Sequence, residues 1–208
     1  SCSAEMRARL TGPLPSIKTP FHRDGRIDFD GLRNLIDFNL AAGAKALMLT
    51  AGDSHYVALT EQEIVEVTRT TIEHTAGRAL IIAADRYYNT TQAVGFAKFA
   101  RDAGADLLMV MPPDWGGSCT PQSLTAHYQT VAEIMPVMLV SNVFIARGQK
   151  FGLDTLKLIL ASSANVVAIK DDMCGEFARK MSLLVHDRWA VISGGQKQNH
   201  LNNHPYGC

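Results

Sequence analysis

Residues 165–171 read Asn-Val-Val-Ala-Ile-Lys-Asp, five uncharged and mostly apolar residues followed by a lysine and an aspartate. A short apolar run of this kind is typical of a strand in a parallel sheet, which is covered on both faces. Side chains alternate along a strand, so Val166, Ala168 and Lys170 are predicted to share one face. The run therefore predicts a strand that carries one amine near its C-terminal end.

Similar apolar runs recur along the chain, each followed by a loop and then by a segment with helical periodicity. They span residues 14–18, 46–50, 79–84, 107–111, 137–140, 166–169 and 190–193. Strand–helix units in series predict a parallel sheet. A doubly wound sheet and a (β/α) barrel both fit this repeat. The chain has 208 residues, whereas a complete barrel of eight units typically needs about 250.

Capping residues mark where the predicted helices begin and end. Asp30 precedes the first predicted helix and Gly43 follows it. Thr60 and Glu63 have the spacing of a capping box. Thr120-Pro121 places a proline at the first position of another helix.

The composition excludes several classes of partner. Basic and acidic residues number 20 each, so net charge gives no reason to expect nucleic acid or an anionic membrane. No apolar stretch reaches the roughly 18 residues of a membrane span, and residues 1–10 lack the apolar core of a secretory signal. Cys2, Cys119, Cys174 and Cys208 are scattered without a CxxC pair, so we expect reduced thiols and a cytoplasmic protein.

Functional groups of parallel α/β folds lie at the C-terminal ends of the strands, and Lys170 is the leading candidate there. In a barrel its face is the interior, where desolvation favours the neutral amine that attacks a carbonyl carbon. Two structural alternatives stay open: the side chain reaches solvent, or the ammonium pairs with Asp171 or Asp172. Lys18 is a rival candidate, but the run before it is shorter and less apolar.

Two glycine-containing loops are candidate sites for an anion such as a substrate carboxylate. Within residues 50–56, Gly52 lets backbone N–H groups approach closely and Ser54 adds a hydroxyl donor, whereas the charge of Asp53 opposes an anion. Gly194-Gly195 forms a second such place. Ordinary tight turns explain both loops equally well from the sequence alone.

The sequence predicts no metal site. Asp171 and Asp172 are adjacent on a strand and point in opposite directions. His200 and His204 have i, i+4 spacing, but no glutamate lies between them and Asn202-Asn203 weakens the helix.

A set of short motifs lies in a fixed order between about residue 12 and about residue 195. They are Thr19-Pro20-Phe21 with Asp24-Gly25-Arg26-Ile27-Asp28, then Leu59-Thr60-Glu61-Gln62-Glu63, Ala103-Gly104-Ala105-Asp106, Met111-Pro112-Pro113, Asn142-Val143, Val167-Ala168-Ile169-Lys170-Asp171 and Ile192-Ser193-Gly194. As a set, they resemble the dihydrodipicolinate synthase/N-acetylneuraminate lyase family of class I aldolases.

This resemblance implies a fold, a reaction and an assembly. It implies a (β/α)8 TIM barrel whose Schiff-base lysine falls on Lys170. It also implies a small 2-oxo acid as the substrate, no metal or organic cofactor, and a homo-oligomer, either a tetramer or a dimer. The chain would then be a single barrel domain over residues 1–208 that is truncated before or at the eighth strand.

Three places depart from the family pattern. The family's Gly-Thr-Thr-Gly-Glu type loop, which holds the carboxylate of the 2-oxo acid, is replaced by Ala51-Gly52-Asp53-Ser54-His55. Ser141 stands where a proton-shuttling tyrosine precedes Asn142, and Asp114-Trp115 replaces a tyrosine pair. The proton relay for synthesis of dihydrodipicolinate is therefore not recognisable, and that reaction is not expected.

Other residues are candidates for the missing roles. Histidine titrates near neutral pH, so His55 is predicted to act as an acid or base, with Tyr56 offering a phenol beside it. Alternatively, Tyr56 packs under the loop and His55 faces water. Ser141 is a catalytic candidate by position, although its hydroxyl is shorter and less acidic than a phenol. Asn142 and Gly194-Gly195 join the loop after the second run as predicted substrate-binding residues.

Three hypotheses about function follow. The first is a Schiff-base lyase that acts on a small 2-oxo acid or its sugar-acid adduct, in which aldol cleavage and dehydration share the same early steps on Lys170. The second is a non-catalytic barrel homologue that binds a small oxo acid. The third is a metal-dependent aldolase that uses Asp53, His55 and Asp171.

Overall fold

The computed structural model describes residues 2–86, 88–113, 117–195 and 197–208, and this part of the chain contains a six-stranded parallel sheet. The strands are β1 (Ala46–Met48), β2 (Leu80–Ala84), β3 (Leu107–Met109), β4 (Val137–Val140), β5 (Val166–Asp171) and β6 (Ala190–Ser193). They lie side by side in chain order, and every pair of neighbours is parallel. Parallel strands in chain order with helices between them form part of a (β/α)8 barrel, as expected.

The first of the seven predicted strands forms only an isolated bridge beside β1. Ser16 pairs with Met48, the Ile17 amide donates to the Met48 carbonyl, and the Met48 amide donates to the Pro15 carbonyl. Pro15 accepts one bond from the sheet, but Pro13 and Pro15 have no amide hydrogen and donate none to it. The prediction of a full strand at 14–18 was therefore wrong, whereas the other six runs contain strands.

Helices alternate with the strands. They are α1 (Cys2–Arg9), α2 (Phe29–Ala41), α3 (Glu61–Thr75), α4 (Thr90–Ala103), α5 (Pro121–Ala132), α6 (Gln149–Ser162), α7 (Gly175–Val185) and α8 (Lys197–Asn203). The capping box of Thr60 with Glu63 is confirmed at the start of α3. The expected cap of α2 was wrong by two residues, because the Asp28 carboxylate accepts the Gly31 amide at 2.8 Å and Asp30 lies inside the first turn.

Helix α1 lies near the N-terminal ends of the strands. Arg7 donates to the carbonyl of His186, in the connection that leads into β6. Arg9 lies 3.8 Å from Asp106, the residue before β3. Met6 of the same helix is buried against the hydrophobic core. Because α1 sits at this end, the C-terminal ends of the strands are left to carry the site.

No helix in the described ranges has both the length and the apolar character that a membrane span requires.

A buried carboxyl group follows β2. Asp85 is fully buried, its Oδ1 accepts the Met111 amide at 2.9 Å, and its Oδ2 finds no hydrogen-bond partner among the described residues. Burial raises the pKa of this carboxyl well above its ordinary value, against smaller lowering contributions from its backbone hydrogen bonds. The neutral acid is therefore the form that the fold favours.

This shift predicts how stability changes with pH. The folded-state pKa of Asp85 lies above the unfolded value, so the folded chain holds a proton that the unfolded chain has lost. Between the two pKa values, one such group lowers stability by about 1.4 kcal/mol for each pH unit of rise. We expect Asp85→Asn, which stays neutral, to reduce the loss of stability between pH 5 and pH 8 in urea unfolding. A variant whose pH dependence equals that of the parent would contradict this account.

Candidate active site

Lys170 and Asp172 form an ion pair at the C-terminal end of β5. Lys170 Nζ lies 2.6 Å from Asp172 Oδ1. The two side chains are 18% and 20% exposed, so both are largely withdrawn from water. Of the alternatives that the sequence left open, the structure shows the pairing with Asp172. The carboxylate is placed to accept the proton that an ammonium must lose before it attacks a carbonyl carbon.

The pair faces the concave side of the sheet. The positive charge of Lys170 helps to lower the pKa of Asp53, a residue of the loop after β1. Three strands lie between β1 and β5 in the sheet. Asp171, the next residue of β5, contacts Asn199 of helix α8, so alternation along the strand turns Lys170 away from the helices. Lys170 therefore points into the partial barrel.

Gly194, directly after β6, makes the ion pair possible. A Cβ atom at this position would lie 1.9 Å from Asp172 Oδ1, 2.6 Å from the Asp171 carbonyl oxygen and 3.0 Å from Lys170 Nζ. The Gly194 amide donates to that carbonyl at 2.7 Å. The sequence predicted that another group approaches Gly194 closely, and in the structure that group is the Lys170–Asp172 pair. A side chain on Gly194 would occupy the space of the carboxylate.

Asp171 points the other way and organises the turn after β5. Its Oδ1 accepts bonds from the Ser141 hydroxyl at 2.8 Å and from the Met173 amide at 3.1 Å. Its Oδ2 accepts bonds from the Cys174 amide at 3.1 Å and from Asn199 Nδ2 at 3.0 Å. This carboxylate is 2% exposed, and four donors compensate the cost of burying it.

Ser141, a predicted catalytic residue, belongs to this network. Its hydroxyl is fully buried, donates to Asp171, and accepts the amides of Asp172 at 2.8 Å and Met173 at 3.2 Å. These contacts fix the backbone that carries Asp172. The structure gives Ser141 a clear positioning contact, and its catalytic role stays a prediction.

Two asparagines of α8 complete the network, and sequence reasoning missed both. Asn199 Nδ2 bonds to Asp171 and to the Gly194 carbonyl, while Asn203 Nδ2 bonds to Asn199 Oδ1 at 2.6 Å. Both are buried and lie four residues apart on one helical face. That spacing was the available signal, because buried amides four residues apart read as a hydrogen-bonded pair.

The loop after β1 uses its polar groups internally. Ser54 is fully buried; its hydroxyl donates to the Ile17 carbonyl at 2.6 Å and accepts the Thr50 amide at 3.0 Å. Thr19 donates to the Ser54 carbonyl. Gly52 is exposed, and a Cβ there would meet no atom within 4 Å. The Ser54 hydroxyl therefore ties the loop to the 14–18 segment.

Asp53, His55 and Tyr56 have different surroundings. Asp53 lies 3.1 Å from Lys18. Burial raises the pKa of Asp53, but hydrogen bonds from Lys18 and Ser16 and the charge of Lys170 outweigh it, so the pKa is lowered.

His55 is exposed, has a left-handed backbone with φ 61°, and packs edge-on against Phe21. Tyr56 is fully buried and its hydroxyl bonds with Thr68 of α3 at 2.9 Å. Burial raises the pKa of this phenol, which keeps it protonated. Tyr56 thus packs under the loop, and the role of His55 as an acid or base stays a prediction.

The remaining predicted positions surround the end of the sheet. Asn142 is half-buried, and its Oδ1 finds no hydrogen-bond partner among the described residues. Gly195 is exposed with φ 74°, and a Cβ there would lie 4.0 Å from Cys174 Sγ. Asp114-Trp115 lies outside the described residues. Within the described ranges, no group of three His, Cys, Asp or Glu residues could hold a metal ion.

Comparison with known proteins identifies related sequences and folds. Residues 9–208 match the profile of the dihydrodipicolinate synthetase family. The 4-hydroxy-tetrahydrodipicolinate synthase of Psychrobacter arcticus is 32% identical over 193 residues, which cover 91% of this chain and 63% of that protein. The same enzyme of Aromatoleum aromaticum is 33% identical over 162 residues, which cover 78% and 55%. The chain thus spans less than two thirds of the length of these curated relatives.

A solved structure gives the same picture. YagE, a prophage protein of the dihydrodipicolinic acid synthase family from E. coli K12 in complex with pyruvate, superposes with a TM-score of 0.82 at 25% identity. The superposition covers 95% of this chain and 67% of that one.

The space at Gly194 can be tested by filling it. Gly194→Ala puts a methyl group where the Asp172 carboxylate lies, so we expect the Lys170–Asp172 pair to separate. Overpacking of this kind costs about 1–3 kcal/mol of unfolding free energy in denaturant titrations. Gly95→Ala is the control: Gly95 lies inside α4 with nothing within 4 Å of its Cβ position, so alanine should stabilise by up to about 1 kcal/mol. Equal stability of Gly194→Ala and the parent would contradict the packing described.

Proposed function

The chain belongs to the dihydrodipicolinate synthetase family, and we propose that it forms a Schiff base between Lys170 and a small 2-oxo acid as a class I lyase. The observation that carries this proposal is the position of the amine. Lys170 lies at the C-terminal end of the buried apolar strand β5, between β4 and β6, faces the barrel interior and contacts one carboxylate. The 2-oxo acid is proposed because YagE, a structural relative, is described with pyruvate bound.

Condensation turns the ketone carbon into an electron sink. The Lys170 amine adds to the ketone, water leaves, and the positive iminium nitrogen draws electrons from the neighbouring carbon. A base then cleaves or forms a carbon–carbon bond, or removes a hydroxyl group as water. Aldolase and dehydratase activities both follow from this intermediate, so we propose the reaction class and not one acceptor.

We do not propose dihydrodipicolinate synthesis for this chain. Its relatives carry that name, but the loop after β1 lacks the threonine pair, and Ser141 stands in place of the family tyrosine. The Ser141 hydroxyl donates to Asp171, and the buried Tyr56 hydroxyl pairs with Thr68. These contacts support a proton path that differs from the one the resemblance implies. Assembly as a homotetramer or dimer in the cytoplasm also remains a proposal.

Reductive trapping tests the proposal. The intact protein is incubated with pyruvate and, separately, a panel of longer 2-oxo acids under borohydride, and the modified residue is located by peptide mass spectrometry. We expect an adduct on Lys170 that is lost in Lys170→Arg, which keeps the positive charge but cannot form an imine. Lys150→Arg is the control, because Lys150 pairs with Asp154 on the surface of α6. Absence of an adduct on the folded protein across the panel would favour a non-catalytic barrel that binds an oxo acid.

A further inference from the structure

We propose that Asp172 is the acid and base of imine formation on Lys170, in place of the tyrosine that this chain lacks. The assignment rests on the proposed function, since it concerns the same amine. Asp172 Oδ1 lies 2.6 Å from Lys170 Nζ, the atom that reacts. A general acid or base must lie within hydrogen-bond reach of the proton that it moves, and Asp172 meets this condition directly.

The carboxylate of Asp172 is held in place from two sides. Its own backbone amide donates to the Ser141 hydroxyl at 2.8 Å, which fixes where the side chain leaves the turn. Its Oδ1 fills the space where Gly194 lacks a side chain. With 20% of the side chain exposed, few water molecules compete for the contact with Lys170. Such preorganisation is what proton transfer within an active site requires.

Four other acidic or hydroxyl groups of the described residues around the strand ends are engaged elsewhere. Asp171 accepts four hydrogen bonds on the outward side of β5. Asp53 pairs with Lys18, and the hydroxyl groups of Ser141 and Tyr56 contact Asp171 and Thr68. Asp172 is therefore the carboxylate in direct contact with the reactive nitrogen.

Asp172 moves one proton at a time during the condensation. It first accepts a proton from the Lys170 ammonium, and the neutral nitrogen bonds to C2 of the 2-oxo acid while the C2–O π bond breaks. The oxygen takes the proton back from Asp172, which gives a carbinolamine with a positive nitrogen. Asp172 then removes one proton from that nitrogen and delivers it to the hydroxyl group. Water leaves, the C=N bond forms, and Asp172 ends as the carboxylate it was at the start.

Charged and titratable groups surround the pair from the loop after β1, from the segment beside that loop, and from the turn after β5 itself. Asp53 and Lys18 face it from the loop after β1 and the segment beside it. From the turn after β5, Cys174 contributes a thiol whose pKa is raised by burial and by the charges of Asp171 and Asp172. At neutral pH this thiol stays protonated and cannot take a proton from Lys170. Asp172 is the acceptor in contact with Lys170. Without the Asp172 carboxylate, hydroxide must remove the proton from Lys170. The rate of condensation should then rise more steeply with pH.

The rate of imine formation tests this role. The intact parent and Asp172→Asn are mixed with saturating pyruvate and cyanoborohydride, and the adduct on Lys170 is followed by mass spectrometry from pH 6 to pH 9. We expect the variant to react about 100-fold more slowly at pH 7, as for loss of a general acid or base, and to recover part of the rate at high pH. Asp154→Asn is the matched control, because it breaks the surface Lys150–Asp154 pair and leaves the rate unchanged.

A second variant covers the case in which Asp172→Asn fails to fold. In Asp172→Ala, formate has room to occupy the vacated space, and we expect added formate to raise the trapping rate in proportion to its concentration. Parent-like rates and an unchanged pH profile in Asp172→Asn, or no effect of formate on Asp172→Ala, would overturn the role of Asp172. Failure of the parent to form any adduct would overturn the proposed function itself.

Discussion

Alternation of side chains at the end of β5 is the constraint on which the site depends. Asp171 points outward, where four donors bind its buried carboxylate, and this fixes the strand end and the turn that follows. Lys170 and Asp172, one residue to either side, therefore point inward together. A shift of one residue would exchange the two faces and place the amine among the helices. The outward network thus sets the position of the inward pair.

The two loops that border this pair contribute in different ways. In the loop after β1, the Ser54 hydroxyl bonds to the 14–18 segment and holds it in place. The prolines of that segment prevent it from forming a longer strand. The end of β6 contributes the absence of a side chain at Gly194. The space at Gly194 admits the Asp172 carboxylate, and the Ser54 contacts hold the loop after β1 in place. Together they leave Lys170 paired with Asp172.

Much of the fold was predictable, because apolar runs with regular spacing leave few topologies. The runs at 79–84 and 166–169 gave β2 and β5, and the capping box at Thr60 gave the start of α3. The bridge at 14–18 was less predictable, since a missing amide hydrogen in proline outweighs an apolar pattern.

The residues of the site also differ in how far local sequence could identify them. Lys170 could be found because a charge at the end of a buried strand is unusual. The pairing with Asp172 was only one of several alternatives, because it depends on the empty space at Gly194, and Asn199 was missed because its partner lies 28 positions earlier in the chain. Contacts between residues that are far apart in the chain are set by the packing of strands and helices against one another, and no local pattern records them.

The most direct measurement is a crystal structure of the intact protein grown with pyruvate. We expect continuous electron density from Lys170 Nζ to C2 of the bound molecule, with the ketone oxygen gone and Asp172 still beside the nitrogen. Pyruvate bound in the barrel with Lys170 unmodified at full occupancy, or bound away from Lys170 altogether, would contradict the central claim.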